Sequence, residues 1–352
     1  MTATVTKAGP YYPSGSISFS SLRSNFKESA SGSISVSELR RNTSTTNTNP
    51  VVPDATENSS VSTSNNLALS QFRNSIKYYY ITQTGTDTNF DIDAQTWNTN
   101  LNKNIRKWLY VQGTIGSNST ASSAADFNST AYNLTIDISG GIYGAGGFGG
   151  TSATINGGSG GNALSITNTS GSNLVVNVQS TANIYGGGGG GEKGSTGGNG
   201  SGGTCYVYQT FTSGCQQNSN SCPGGWIQSN SWQNCCQWRR GCAANNWSKT
   251  CYYTYPTGGG TGGEGGNGGT GRGYNNLGSL LGAGGAGGTA GGGCGATDGL
   301  TGEPGGNGGD WAGGGGHTNN IGSGGSPGRA IAGSGYSITG TINTNTIKGL
   351  YQ

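Results

Sequence analysis

Apolar residues in the first 80 positions recur in a fixed order rather than with a steady period. Ser16-Ile17-Ser18-Phe19-Ser20-Ser21-Leu22-Arg23, Ser33-Ile34-Ser35-Val36-Ser37-Glu38-Leu39-Arg40 and Asn66-Leu67-Ala68-Leu69-Ser70-Gln71-Phe72-Arg73 share the order apolar, x, apolar, Ser, x, apolar, Arg. Each predicts a short extended pair followed by a brief helical turn, with Ser20, Ser37 and Ser70 as N-caps. Units this small cannot bury their own apolar face, so they pack on one another, on another subunit or on a partner. The region is either a docking element or an ordinary small α+β cap. Between the second and third units, residues 42–66 read as a polar, proline-containing linker that would serve as an extended arm.

From Tyr78 onward the pattern changes to strands. YYYITQTG and IRKWLYVQGTIGS combine aromatic and β-branched residues between Gly, Asn and Ser, and Leu134-Thr135-Ile136-Asp137-Ile138 alternates apolar with polar. That last strand runs into Ile142-Tyr143-Gly144 and a glycine block. Leu174-Val175-Val176-Asn177-Val178 likewise leads to Ile184-Tyr185-Gly186 and a second block. The returns are also phrased alike: GGSGGNAL (157–164) and GGSPGRAI (324–331) each precede a strand, LSITN or YSITGTI. Glycine blocks that start and stop on strands at repeated phrases are organised sequence, not low complexity.

Composition sharpens this picture. Of 352 residues, 73 are glycine, while 30% are hydrophobic and 9% charged, far from a typical soluble domain. A disordered linker is argued against by 17 Tyr, 7 Trp and 7 Phe, and collagen by the presence of only 8 prolines and no strict period. Many blocks read as Gly-Gly-X triplets, such as GGTGGEGGNGGTG. In polyproline II geometry, with about three residues per turn, such a chain makes no hydrogen bonds within itself. Two of its faces then carry only hydrogen, so helices of this kind can approach closely and pair amides with neighbours, leaving X positions such as Glu264 and Asn267 for the surface. The turns between them are natural binding positions.

A net charge of +3, with no basic run longer than Arg239-Arg240, gives no reason to expect nucleic acid. No apolar stretch approaches the roughly 18 residues of a membrane span, and the N-terminus lacks the apolar core of a secretory signal. Matches to GxGxxG mean nothing in a chain this rich in glycine, and GGGGGGEKGST fails the phosphate-loop pattern. Acidic residues sit mostly singly in X positions (Glu192, Glu264, Glu303, Asp310) and His317 is the one histidine, so no catalytic pair or triad is offered. An enzyme is not expected, nor is a cofactor.

Between two glycine tracts lies the densest chemistry. Residues 205–251 hold Cys205, Cys215, Cys222, Cys235, Cys236, Cys242 and Cys251, with Cys294 further on. None of their spacings is the close pair of a zinc knuckle, so disulfides are favoured over metal and no metal site is expected. A segment of this size has too little core to fold by burial alone, and staples are the usual remedy. Trp226, Trp232, Trp238 and Trp247, with Tyr253 nearby, are either core of this knob or exposed anchors for a sugar ring or a receptor loop. Arg239 and Arg240 either engage acidic surface groups or form a solvated basic turn. Trp311, inside the block GEPGGNGGDWAGG, is a further candidate contact residue. Dense cysteines without a signal peptide imply either reduced thiols or release by another route, such as cell lysis.

The IYGAGGFGG and IYGGGGGG phrases, the GGxGG blocks and the closing ITGTI segment resemble the glycine-rich tail-fibre adhesins of tailed bacteriophages, strongly from about residue 103 to the C-terminus and weakly before it. The resemblance implies a polyglycine II sandwich whose connecting loops contact a host-surface receptor, in a virion protein released by lysis. The cysteine-rich insertion departs from that pattern.

The expected fold is therefore mainly β and irregular, with small α+β repeats over 1–80 that dock on other virion tail or fibre proteins. A β-rich connector over 81–139 and a glycine-rich polyglycine II domain over 140–352, with its disulfide-rich insertion, complete it. The expected function is host-receptor recognition, of protein or glycan. The alternatives are a structural virion protein without receptor contact and, third, a polyglycine ice-binding protein.

Overall fold

Strands and glycine segments alternate in one repeating path. The structure, a computed structural model, describes residues 15–27, 31–41, 43–44, 49–64, 66–152, 154–169, 173–213, 227–228, 233–234, 247–257, 262–276, 300–317 and 322–351. The fold is mainly β. One turn of a parallel β-helix is made by β1 (Tyr79–Gln83), β2 (Thr86–Thr88) and β3 (Phe90–Asp91). The next two are β4 (Lys107–Val111), β5 (Thr114–Gly116), β6 (Ala125–Ser129), then β7 (Leu134–Ile138), β8 (Gly141–Tyr143), β9 (Leu164–Asn168). The fourth turn opens with β10 (Val175–Val178) and β11 (Asn183–Tyr185). A hairpin of β12 (Gly203–Ser213) and β15 (Trp247–Thr257), with short β13 (Ile227–Gln228) and β14 (Gln233–Asn234), intervenes in the sequence. β16 (Ile331–Ser334) then closes the fourth turn, and β17 (Ser337–Gly340) and β18 (Ile347–Lys348) begin a fifth.

Like sides stack into three parallel sheets, ordered β1-β4-β7-β10-β17, β2-β5-β8-β11-β18 and β3-β6-β9-β16. Register explains the alternation seen in the sequence. Ile81, Leu109, Ile136, Val176 and Ile338 lie over one another on the first sheet. Ile115, Ile142, Ile184 and Ile347 do so on the second, and Phe90, Ala125, Leu164 and Ile331 on the third. These inward columns form one continuous core. β-branched side chains suit such stacks because they pack well on a pleated surface.

Among the described residues, two inward positions carry acidic or basic side chains: Asp87, in register with Ile115 on the second sheet, and Lys107 on the first. Lys107 is 1% exposed, and its Nζ donates to the carbonyls of Lys103 (2.8 Å) and Ile105 (2.5 Å). Burial, and secondarily the nearby Lys103, holds its ammonium well below the ordinary lysine range. Between the folded and unfolded values the unfolded chain binds more protons, so stability rises with pH in that window. Urea midpoints are therefore expected to increase from pH 7 to 9.5, below the range where the raised tyrosines titrate, and Lys107→Met should remove most of the increase; a Met variant with the same slope contradicts this assignment.

The repeated Ile-Tyr-Gly phrases mark where the chain leaves the β-helix after its second side, at Tyr143 and Tyr185, and the GGSxG phrases mark its return at β9 and β16. The glycine segments they bracket bond to one another. Gly187 and Gly190 donate to Gly161 and Gly158, Gly188 and Gly191 to Arg272 and Gly269, and Gly189 and Glu192 to Gly313 and Gly316, at 2.7–3.1 Å. Successive amides thus address three different neighbours, and every third returns to the same one.

The N-terminal units pack on one another. Leu22, Phe26, Leu39, Val51, Val52, Val61 and Phe72 form a second core, with Ile17, Ile34, Leu67 and Leu69 against it. Two expectations are corrected here. The cap positions lie two residues earlier than Ser20, Ser37 and Ser70. α1 (Phe19–Lys27) starts after Ser18, whose Oγ accepts from Ser21 N–H at 3.1 Å while Ser21 Oγ accepts from Ser18 N–H at 2.9 Å. Ser35 and Glu38 repeat this exchange at 3.3 and 2.7 Å, and Ala68 N–H donates to Gln71 Oε1 at 3.1 Å. The residue three beyond the cap decides the start, because its side chain reaches back to the cap amide. Burial opposes ionisation of Glu38, but Lys27, the Ser35 N–H and the Ser35 hydroxyl outweigh it and hold the carboxyl below its usual range.

Nor are the described residues of 42–66 an extended arm. Val51 and Val52 are buried, Val51 N–H bonds Glu38 O at 2.9 Å, and the buried Asn58 amide bonds Pro53 O and both backbone polar groups of Ile76. The Val-Val pair supplies apolar area that a linker lacks. This region is tied to the β-helix by Asn100, whose amide bonds Asp54 N–H and O at 2.8 and 3.0 Å.

By compactness the chain divides into Met1–Lys193 with Asn267–Gly285 and Gly305–Gln352, and Gly194–Gly266 with Ala286–Pro304. In the second unit the threefold pattern recurs: Gly194 and Gly197 donate to Gly266 and Gly263, which donate to Glu303 and Leu300.

Candidate functional site

Of the residues singled out in the sequence, Trp226, Trp232, Trp238, Arg239 and Arg240 lie outside the described residues, as do Cys215, Cys222, Cys235, Cys236, Cys242 and Cys294. Cys205 lies in β12 and Trp247, Cys251 and Tyr253 in β15. The two strands pair antiparallel along their full length, with Cys205 opposite Tyr255, Cys251 opposite Gln209 and Tyr253 opposite Val207. An eleven-residue hairpin arm therefore carries the insertion between its strands.

Trp311 is 9% exposed. Its ring centroid lies 5.4 Å from Tyr143 and 5.6 Å from Tyr185, which themselves meet edge to face at 5.7 Å. Arg272 lies over Trp311 at 5.7 Å and Lys348 over Tyr185 at 4.7 Å, and Arg272 pairs with Asp310 at 3.0 Å. Burial opposes ionisation of Asp310, but Trp311 N–H and Arg272 prevail and hold it below the usual carboxylate range. The two tyrosines belong to the Ile-Tyr-Gly phrases, so this cluster braces the point where glycine segments leave the β-helix. Its energy comes from ring contact and cation attraction.

Two features escaped the sequence reading. Tyr78, just before β1, Tyr80 on β1, and Trp108 and Tyr110 on β4 form a run of ring contacts, with centroid spacings of 4.2–6.1 Å and Arg106 over Tyr78 and Trp108. The signal was present as YYY and WLY, but the register that brings Tyr80 beside Trp108 and Thr82 beside Tyr110 was not legible. Asp91, Asp93 and Asp126 also converge, their carboxylates within 4.8 Å. Asp91 accepts Ala94 N–H and Asp93 accepts Asn128 N–H, while burial, then its two neighbours, raises Asp126. These are the carboxylates that a cation would meet among the described residues.

What the molecule offers is thus a display scaffold: a β-helix that carries hydrogen-bonded glycine segments, and a long antiparallel hairpin that carries an insertion. Residues 77–250 match the family model of the phage tail fibre adhesin Gp38. The resemblance read from the sequence is shown by that match, and the chain is a phage tail-fibre adhesin. No curated protein matches it. Among solved structures, it is similar to the gp37-gp38 adhesin tip complex of the bacteriophage S16 long tail fibre, at 20% identity over 82% of this chain and 88% of that one, with a TM-score of 0.38.

Proposed function

We propose that the chain is the receptor-binding element of a phage tail, acting at the host surface without enzymatic chemistry. The observation that carries this is the threefold amide pattern of residues 187–192. It supports a sandwich of polyglycine II helices, because a helix with about three residues per turn offers its amides to three neighbours in rotation. Such a sandwich satisfies its backbone groups without a side-chain core and leaves the loops at its ends fixed for recognition.

Recognition of host protein or glycan is assigned to those loops and to the insertion 205–251, stapled by disulfides, with Trp226, Trp232, Trp238, Arg239, Arg240, Trp247 and Tyr253 as contact residues. Trp311 is assigned a bracing role instead, since its ring is nearly covered. Labelled protein should bind susceptible cells saturably, and a variant lacking 206–250 should lose at least tenfold in affinity. Equal binding by the variant would reduce the insertion to a clasp.

Residues 1–80 are assigned to docking on other tail or fibre proteins, ahead of a connector (81–139) and the glycine domain (140–352). In the first two units the apolar residue after the cap is left outward, with Phe19 52% and Val36 41% exposed, whereas Leu69 of the third packs against the core. Repeated exposure of the same position fits a partner that presents one surface several times. Changing Phe19 and Val36 to Asp should leave the melting temperature within about 2 °C yet weaken co-assembly with the fibre at least tenfold; unaltered co-assembly contradicts the docking assignment.

A further inference from the structure

On the flank of the first glycine segment lies a cavity of about 480 Å3, within the ~300–1,000 Å3 range of small-molecule sites. Its walls are Asn118, Ser119 and Thr120 from the loop after β5, Gly146, Gly147 and Phe148, and Thr270, Gly271 and Asn275. None of these side chains is charged. We propose that this cavity is a subsite for a neutral sugar, an uncharged pyranose unit of a surface oligosaccharide.

Phe148 supplies the apolar wall. In GAGGFGG it is the one large residue, and it is 54% exposed. Its ring lies against glycine: a Cβ at Gly158 would fall 2.5 Å from ring atoms. One side of the ring thus covers Gly158, and the rest of it faces solvent. An exposed aromatic face beside hydroxyls and amides is what the C–H face of a pyranose requires.

The polar wall is built in advance. Ser117 Oγ lies 2.7 and 3.0 Å from the carbonyls of Ser119 and Ser122 and accepts Ser119 N–H at 3.2 Å, and Ala121 N–H bonds Ser119 Oγ at 3.2 Å. This knot turns Asn118, Ser119 and Thr120 outward, all three exposed. On the other wall, Asn275 Oδ1 accepts Gly146 N–H at 2.8 Å and its Nδ2 donates to Gly146 O at 3.4 Å, fixing the floor. The adjacent Tyr274 ring occupies the space over Gly116, where a Cβ would lie 2.1 Å from it. Fixed donors and acceptors spare a ligand the cost of ordering them. The absence of charge on the lining favours hydroxyls over phosphate or carboxylate.

This inference rests on the adhesin reading, which brings the chain to a glycan-coated surface. The test is saturation-transfer NMR of the whole chain with neutral di- to tetrasaccharides of glucose, galactose and mannose, alongside binding of labelled protein to susceptible cells. Transfer to sugar ring protons is expected for at least one of them. It should fall at least tenfold in affinity in Phe148→Ala and be abolished in Thr120→Arg, which fills the cavity while leaving the ring, with both variants melting as the parent does. Transfer that survives both substitutions, or no transfer from any sugar while cells are still bound, overturns the sugar subsite and leaves the adhesin reading standing. Sugar binding without cell binding supports the subsite and removes the adhesin reading.

Discussion

Valine in place of Gly190 is expected to unfold the glycine segments, with a loss of about 3 kcal/mol or more and a visible drop in melting temperature. Gly190 lies in the middle of the segment that neighbours surround. A Cβ there would sit 1.8 Å from Phe148 O and 2.4 Å from its carbonyl carbon, and backbone cannot rotate away as a side chain does. Its N–H bonds Gly158 O at 2.8 Å, and its carbonyl accepts Gly325 N–H at 2.7 Å. Pushing the segments apart breaks both, and each buried group left unpaired costs about 1–3 kcal/mol. Gly314 is the control: the nearest atom to its added Cβ is 3.8 Å away. Gly314→Ala should stay within about 0.5 kcal/mol of the parent. Equal melting of the Gly190→Val variant and the parent, by differential scanning calorimetry, contradicts the close-packed lattice.

Trp97→Ala is expected to cost about 3–5 kcal/mol by removing the largest fully buried side chain of the β-helix. Trp97 lies in the loop between β3 and β4, 1% exposed, with Nε1–H donated to Ile92 O at 2.7 Å and its ring 6.2 Å from Tyr79. Truncation opens a cavity at the first turn and leaves Ile92 O without that bond. Chemical denaturation measures it. A loss under about 1 kcal/mol would mean that the core collapses into the space and the ring is not structurally needed.

Much of this was legible, for identifiable reasons. The strands Leu134–Ile138 and Val175–Val178 announce themselves by alternation, and the Ile-Tyr-Gly and GGSxG phrases mark real exits and returns of the chain. What alternation cannot give is the partner. Leu164 pairs with Ile331 across more than half the glycine-rich stretch, and nothing local in either strand encodes that register. The same gap hid the Tyr78–Trp108 ring contact and the cavity beside Phe148, since both join residues from different turns. At the N-terminus the order of apolar residues was read correctly, but the caps were misplaced by two. Serine is frequent throughout the units, and only the reach of Ser21, Glu38 and Gln71 selects among them. Val51 and Val52 were overlooked because a two-residue apolar run in a polar stretch carries no period. For Trp311, its place among glycines did not tell that Tyr143 and Tyr185 lie against its ring, because those neighbours come from distant turns.

If this chain is the part of a phage tail that recognises the host, the purified protein must compete with the phage for its receptor. Adsorption to susceptible cells, timed with and without an excess of the purified, oxidised chain, reads that competition. The chain should occupy the receptors and slow adsorption at least tenfold, and adsorption unaffected by saturating protein would contradict its role in recognition.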